Sequence, residues 1–370
     1  MKLASDGASQ KVLANFNWGL FGTTVIIALI GLWNLASASK AAHTQVWVSQ
    51  SAWLGLGFGI ALLLCVFDYR HLLHAAYPLY GLVLVLLVLT LLVGNVHKGS
   101  QRWLVFGPVR LQASELAKVA VVLALARFYH DDVEPREGYG FRRLFVPALL
   151  LGLPVLLVVR QPDLGTSLLI LAVGGTMVLF ARVHRRALIV GVVGGLVVAG
   201  SAWLWFLEDY QRRRVTAFLD PEGDAKGAGY HHIQSTIAIG SGDTWGKGWG
   251  EGTQTQFSFL PEQHTDFVFS VFAEEHGFAG GVLLLLLYAL LLALIIGVAA
   301  SAKDRFGVFL AIGGAALIFW HIFVNIGMVT GLLPVVGVTL PLLSYGGSSI
   351  VTVLAMLGLL LNVGLRRYRF

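Results

Sequence analysis

The sequence predicts an all-α polytopic membrane protein of about ten transmembrane helices, with a long extracytoplasmic loop between helices 7 and 8. Three observations carry this. Of 370 residues, 56% are hydrophobic and only 12% charged, and the mean hydropathy is +0.76; a water-facing surface needs more charge than that. Apolar runs of about 17–25 residues recur, the length that crosses a hydrocarbon core of about 30 Å. Lysine and arginine also differ in density between alternate connections, as helices inserted with one orientation require.

The expected spans are 17–39, 46–67, 75–94, 113–129, 145–161, 164–183, 186–207, 279–300, 306–331 and 348–366. The first, around Val25 to Leu35, is not followed by a cleavage-site pattern and reads as a retained helix rather than a signal peptide. Cys65, the single cysteine, lies in the second and excludes an internal disulfide framework or a thiolate metal cluster. The fourth carries Glu115 and Lys118 at its outer end, at i and i+3, on one face. They read either as a structural ion pair or as the lining of a polar cavity, which intramembrane ionisable groups usually face. Between the fifth and sixth, Arg160-Gln161-Pro162-Asp163 reads as a tight hairpin tip, since proline disfavours helix at the residue before it.

Fifteen of the 26 Lys and Arg fall on one side of these spans, whereas the short connections opposite hold only Lys40, Lys98, Arg102, Arg110 and Arg160. Both termini are therefore expected in the cytoplasm and 208–265 outside. The whole chain reads as one membrane domain: helices 1–7 over 1–207, the loop over 208–265, and a re-entrant or peripheral helix with helices 8–10 over 266–370. The net charge of +6 is accounted for by basic loops that orient the helices, and no nucleic-acid partner is expected.

The loop is polar, aromatic and glycine-rich. Asp220-Pro221 and Gly227-Ala228-Gly229 are turn signals, and Tyr230 to Ile239 reads as a short amphipathic stretch on the membrane surface. "GKGWGEG" lacks the spacing of a phosphate loop. Arg212-Arg213-Arg214 reads either as a helix stop against lipid head groups or as a pyrophosphate clamp of guanidinium forks. His264, His231 and His232 with Glu262 lack a zinc-site spacing, though Asp266 and Glu262 suit a loosely held divalent cation. Asp266 opens a helical pattern, where it reads as a simple cap or as a working carboxylate, with Glu274 and Glu275 two turns on. In "FVNIGMVTGLLPVVGVTLPLLSYGGSS" (323–349), Pro334, Pro341 and several glycines break an apolar run, which at membrane depth needs protein or a cavity around it. Transporters also use such breaks for binding sites.

The stretches "GSQRWL" (99–104), "SELAK" (114–118), "RQPDLGTS" (160–167), "DYQRRRV" (209–215), "FLDPEGDAKGAGYHHIQSTIAIGSG" (218–242), "GKGW" (246–249), "LPEQHTDFVFSVFAEEHG" (260–277) and 323–349 together resemble the SEDS proteins (shape, elongation, division and sporulation), in the RodA-like elongation branch. The resemblance spans nearly the whole chain. It implies ten transmembrane helices in the bacterial inner membrane, polymerisation of lipid II into glycan strands during elongation and shape maintenance, and a class B penicillin-binding protein as partner. It also implies that the family's essential aspartate falls on Asp266 and its helix-four acid–base pair on Glu115 and Lys118. Two positions depart from the family pattern: Ala113 stands where many relatives have Pro, and Asp243 where Gly is usual.

Such a reaction joins an acceptor hydroxyl to the anomeric carbon of a donor whose leaving group is a polyprenyl pyrophosphate. A glycosidase needs a second carboxyl to protonate its leaving alkoxide; pyrophosphate leaves without that proton and needs cations. Asp266 is then expected as general base. Arg212, Arg213, Lys118, Arg110 and Lys247 are expected as cations, with Asp163 and His264 as further substrate contacts. The rival reading is a precursor flippase without chemistry. It fits the helices and breaks equally well, but alternating access would put the charges near the midplane rather than on one side.

Overall fold

The computed structural model describes residues 15–41, 45–97, 100–107, 109–132, 138–206, 209–221, 223, 228–260 and 262–366. Of the features named above, Lys98, Glu222, residues 224–227 and both ends of the chain lie outside these.

Helices α1 (Trp18–Ala41), α2 (Val46–Val66) and α3 (Arg70–Val93) come first. Three short strands follow, β1 (Asn95–His97), β2 (Ser100–Phe106) and β3 (Val109–Leu111), in an antiparallel sheet of order β1-β2-β3. Gly107, with φ 60°, makes the β2–β3 turn, and Leu104 sits opposite Leu111 in the register. This sheet is an addition to the all-α expectation. Its strands are too short for a period-2 signal to stand out beside helices of twenty residues.

Next come α4 (Ala113–Asp131), α5 (Phe141–Val159), α6 (Leu164–Phe180) and α7 (Arg185–Ser201), which runs into a π-helical turn at Ala202–Phe206. The last stretch holds α8 (Asp209–Leu219), α9 (Ala228–Ser241), α10 (Thr253–Gln256), α11 (Val268–Ser301), α12 (Arg305–Val329) and α13 (Gly347–Leu365). The stretch expected as a loop therefore holds three helices, α8, α9 and α10, where one amphipathic stretch was expected. Among the described residues, eight helices are long and apolar enough to cross a membrane. The other two expected spans are helices of a different kind. Helix α6 has only 17 residues, and α4 carries Glu115, Lys118, Arg127 and Asp131.

Helix α4 can carry that charge because it lies at the centre, packed by α3, α5, α6, α12 and α13. Small side chains at Ala113, Ala117, Ala120, Ala124 and Ala126 are all buried and let neighbouring backbones approach. Helix α7 is the opposite case: it stands apart, with nearly every side chain from Leu188 to Trp205 exposed. Helix α2 packs along α13, so an early and a late part of the chain close on each other.

Helix α11 is broken by a kink at Gly277, whose backbone is not helical (φ 65°). The expected span at 279–300 begins just past the kink, and the turns before it form a separate half-helix. A Cβ at Gly277 would collide with the backbone of Thr244 and Gly246, so glycine here lets the segment around 244–246 lie on the bend.

Candidate functional site

The reactive-looking carboxylate is built from the backbone outward. Residues 262–266 form turns leading into α11, whose cap position is Phe267. Three backbone oxygens, those of His264, Thr265 and Asp266, fix this approach. Asn325 Nδ2, fully buried on α12, donates to Asp266 O at 2.9 Å and to Val338 O at 2.6 Å. Ser344 Oγ donates to Thr265 O at 2.6 Å, and the Tyr345 amide to His264 O at 2.8 Å. The segment before α11 is thereby clamped to the broken stretch between α12 and α13. Gly337, with φ 75°, leaves room there: a Cβ would stand 3.3 Å from Asp266 Oδ2. Gln50 on α2 holds the far end, donating to Ser344 O at 2.8 Å.

Asp266 opens onto a cavity of about 930 Å³. Helix α4 supplies Glu115 and Lys118, α12 supplies His321, and the hairpin before α6 supplies Asp163. Arg102 and Trp103 reach in from β2, Arg214 from α8, His231 from α9, and Glu262 and Tyr345 from the two clamped segments. Of the residues expected from sequence, Asp266, Glu115, Lys118 and Asp163 therefore share one cavity. Both hydrophobic surface (Leu169, Val335, Val336, Val338) and charge line it, which suits an amphiphile.

Lys118 and Glu115 are nearly inaccessible and pair at 2.8 Å. Glu115 Oε2 is buried without a hydrogen-bond partner among the described residues. Asp163 is heavily used. Its carboxylate caps α6 by accepting from the Thr166 amide at 3.3 Å and the Thr166 hydroxyl at 3.0 Å, and it accepts from Gln112 Nε2 at 3.4 Å. Arg102 Nη1 lies 3.6 Å from it, while Arg102 also donates to the carbonyls of Gln161 and Pro162. Asp163 thus shapes the wall and holds Arg102 against the hairpin.

The expected cations are arranged differently from expectation. Arg212 and Arg213 do not line the cavity; Arg214 does. All three sit on α8, where successive side chains point about 100° apart, so only one of a consecutive run can face a given cavity. Arg212 instead donates to Leu204 O at 3.3 Å. Lys247 is occupied by three acceptors, Ser241 Oγ at 2.7 Å and Thr253 Oγ1 and Glu274 Oε1 at 2.8 Å, which satisfies all three ammonium protons. It fastens the segment between α9 and α10 to α11. Arg110 is exposed on β3 outside the cavity. His264 also lies outside the lining, its ring 6.1 Å from that of Tyr345.

Among the described residues no group of three or more His, Cys, Asp or Glu side chains is placed to hold a metal. Asp266 and Glu262 line the same cavity, so a divalent cation there would take its remaining oxygen ligands from water, backbone carbonyls or a bound phosphate.

Sequence reasoning had not assigned Arg102, Arg214 alone, His321 or Tyr345 to the site. His321 carried the best missed signal, a lone ionisable side chain inside an apolar span.

Residues 11–369 match the FtsW/RodA/SpoVE family, described as cell cycle protein. The chain is 50% identical over 291 residues to the peptidoglycan glycosyltransferase MrdB of Escherichia coli, covering 78% of this chain and 77% of the relative. It superposes with a TM-score of 0.82 and 40% identity on a chain of a solved peptidoglycan synthase complex that coordinates polymerization and crosslinking, covering 96% of this chain and 99% of that one. The crystal structure of the rod shape determining protein RodA of Thermus thermophilus matches with a TM-score of 0.71 and 34% identity, covering 96% and 98%.

Proposed function

The chain belongs to the FtsW/RodA/SpoVE family of cell cycle proteins, and from that premise we propose that it is a multi-pass inner-membrane peptidoglycan glycosyltransferase that polymerises lipid II. The observation that carries this reading is the single cavity in which Asp266 meets Lys118, Arg102 and Arg214, lined partly by apolar side chains.

In the proposed step an acceptor sugar hydroxyl attacks the anomeric carbon of a donor lipid II. A new carbon–oxygen bond forms as the bond from that carbon to the pyrophosphate breaks. The bonding electrons leave on the pyrophosphate, and the hydroxyl proton passes to Asp266. One displacement inverts the anomeric centre. Lys118 keeps the role expected of it, and Arg102 and Arg214 replace Arg212 and Arg213, because they line the cavity and those two do not. Fixed cations in a site with little water stabilise developing charge without reorganising.

The termini are assigned to the cytoplasm and the α8–α10 region to the outside, where the lipid-linked sugars of two substrates meet. A class B penicillin-binding protein is assigned as partner, supported by the likeness to a chain of a synthase complex. The chain is assigned to one membrane domain divided at 207 and 265, the loop between being the α8–α10 region.

The test is glycan polymerisation by the purified protein. Asp266→Asn keeps size but cannot take up the proton as a carboxylate does, and is expected to lose roughly two or more powers of ten in rate. Wild-type yield from folded Asp266→Asn, or lipid II translocation without polymer by the unaltered chain, sends the assignment back to a flippase.

A further inference from the structure

His321 lies deep in α12, only 1% exposed, in an otherwise apolar stretch. A histidine there could be no more than core filling. Its two ring nitrogens say otherwise. Nδ1 lies 2.7 Å from Leu317 O. A carbonyl oxygen can only accept, so Nδ1 carries the proton. Nε2 lies 2.7 Å from Lys118 Nζ, which lies 2.8 Å from Glu115 Oε1. An ammonium beside a carboxylate has only protons to offer, so Nε2 must accept with its lone pair. A doubly protonated ring would instead set two N–H groups against each other at that distance.

Two of the three Lys118 protons are therefore fixed, one on Glu115 of the same helix and one on His321 of the neighbouring helix. The tetrahedral nitrogen then has one direction left for the third. Both Lys118 and His321 line the cavity that holds Asp266. A lysine has four rotatable bonds and is a poorly aimed point charge by itself.

We propose that His321 is a positioning residue for glycosyl transfer: its neutral Nε2 lone pair holds the Lys118 ammonium so that the remaining N–H is aimed at the anionic oxygens of the departing pyrophosphate. This rests on the glycosyltransferase reading above. His321 touches neither reacting sugar in this role. It acts through Lys118, by removing the freedom that the lysine would otherwise lose only in the transition state.

The experiment measures kcat and KM for lipid II polymerisation by the full-length chain, purified with its cross-linking partner. Three variants separate the lone pair from the ring. His321→Phe keeps a planar ring, somewhat larger, and removes the acceptor. His321→Gln supplies an acceptor oxygen at similar reach, and His321→Asn supplies the same group one methylene short. The expected result is a loss of about tenfold or more in kcat for Phe and Asn, with KM changed less than about twofold, and recovery of most of kcat in Gln. Thermal melting and co-purification of the partner check folding. If the Phe variant does not fold, the Gln–Asn comparison carries the test, since the two differ only in reach. Wild-type kcat in Phe or Asn overturns the proposal, as does equal loss in Gln and Asn, or a change confined to KM. Absence of polymer from the unaltered chain would instead remove the glycosyltransferase reading itself, so the two failures are told apart.

Discussion

Asp243 holds a left-handed backbone, φ 48°, at the position where the resemblance led us to expect glycine. Its carbonyl accepts the Phe278 amide at 2.8 Å, just past the kink of α11, so the turn cannot relax without releasing the loop. Aspartate tolerates this conformation better than most residues, yet glycine has no Cβ to crowd the carbonyl. Asp243→Gly is expected to stabilise by less than about 1 kcal/mol, because the gain in the folded state is partly offset by a freer unfolded chain. A small upward shift in melting temperature of the detergent-solubilised protein checks it, and a drop would show that the side chain contributes more than the backbone costs. At this scale sequence is a good guide to type and a poor guide to company. Glu115 and Lys118 were legible as a pair because i and i+3 on one helix must meet. Lys247 was not, because its acceptor Glu274 lies 27 residues away and nothing local announces it.

That fastening belongs to the scale of elements. Glu274 is fully buried, and besides Lys247 its carboxylate accepts the amides of Gln254 and Thr255, at 2.9 and 3.2 Å. The Lys247 and Gly248 amides donate to the carbonyls of Glu274 and Glu275, so the loop and the half-helix before Gly277 form one unit. Lys247→Met leaves a buried carboxylate without its cation and is expected to destabilise by about 3 kcal/mol. Protease cleavage in 242–256 should quicken while the helices stay intact; unchanged cleavage would mean that the amide bonds alone suffice. Helix phase gives a second expectation. On α8 only Arg214 lines the cavity, so Arg214→Ala should cut polymerisation about tenfold or more, whereas Arg213→Ala should stay within about twofold. Equal losses would return the whole run to the site. The three arginines are indistinguishable in the sequence until the helix has a known rotation, and the polar composition of 208–265 hid the helix α8, while the amphipathic stretch read at Tyr230 to Ile239 falls within α9. The sheet of β1–β3 was hidden for the complementary reason, being too brief for periodicity.

For the whole molecule, hydropathy made most of the architecture legible, since a bilayer admits few alternatives to helices. What it left open is how those helices surround α4, and so why four charges lie on that one helix. Orientation is tested in intact cells on a Cys65→Ser background. Glu251→Cys is expected to react with an impermeant thiol reagent and Lys303→Cys to be protected. The reverse pattern would invert the topology. Both positions are exposed, so neither answer is confounded by burial.

The clamp between Gln50 and the Ser344–Gly346 stretch has a consequence for how the protein is made. Gln50 donates to Ser344 O and accepts from the Gly346 amide, joining the second helix to the threshold of the last. The second helix leaves the ribosome early, and its partners follow 294 and 296 residues later. Throughout that interval the pocket lacks the wall from Val335 to Ser349 and the clamp on Asp266. Synthesis proceeds from the N-terminus, so on the proposed function a nascent chain with its carboxylate unaligned is expected to be inactive. The segment just before α13 is then the part whose arrival completes the pocket.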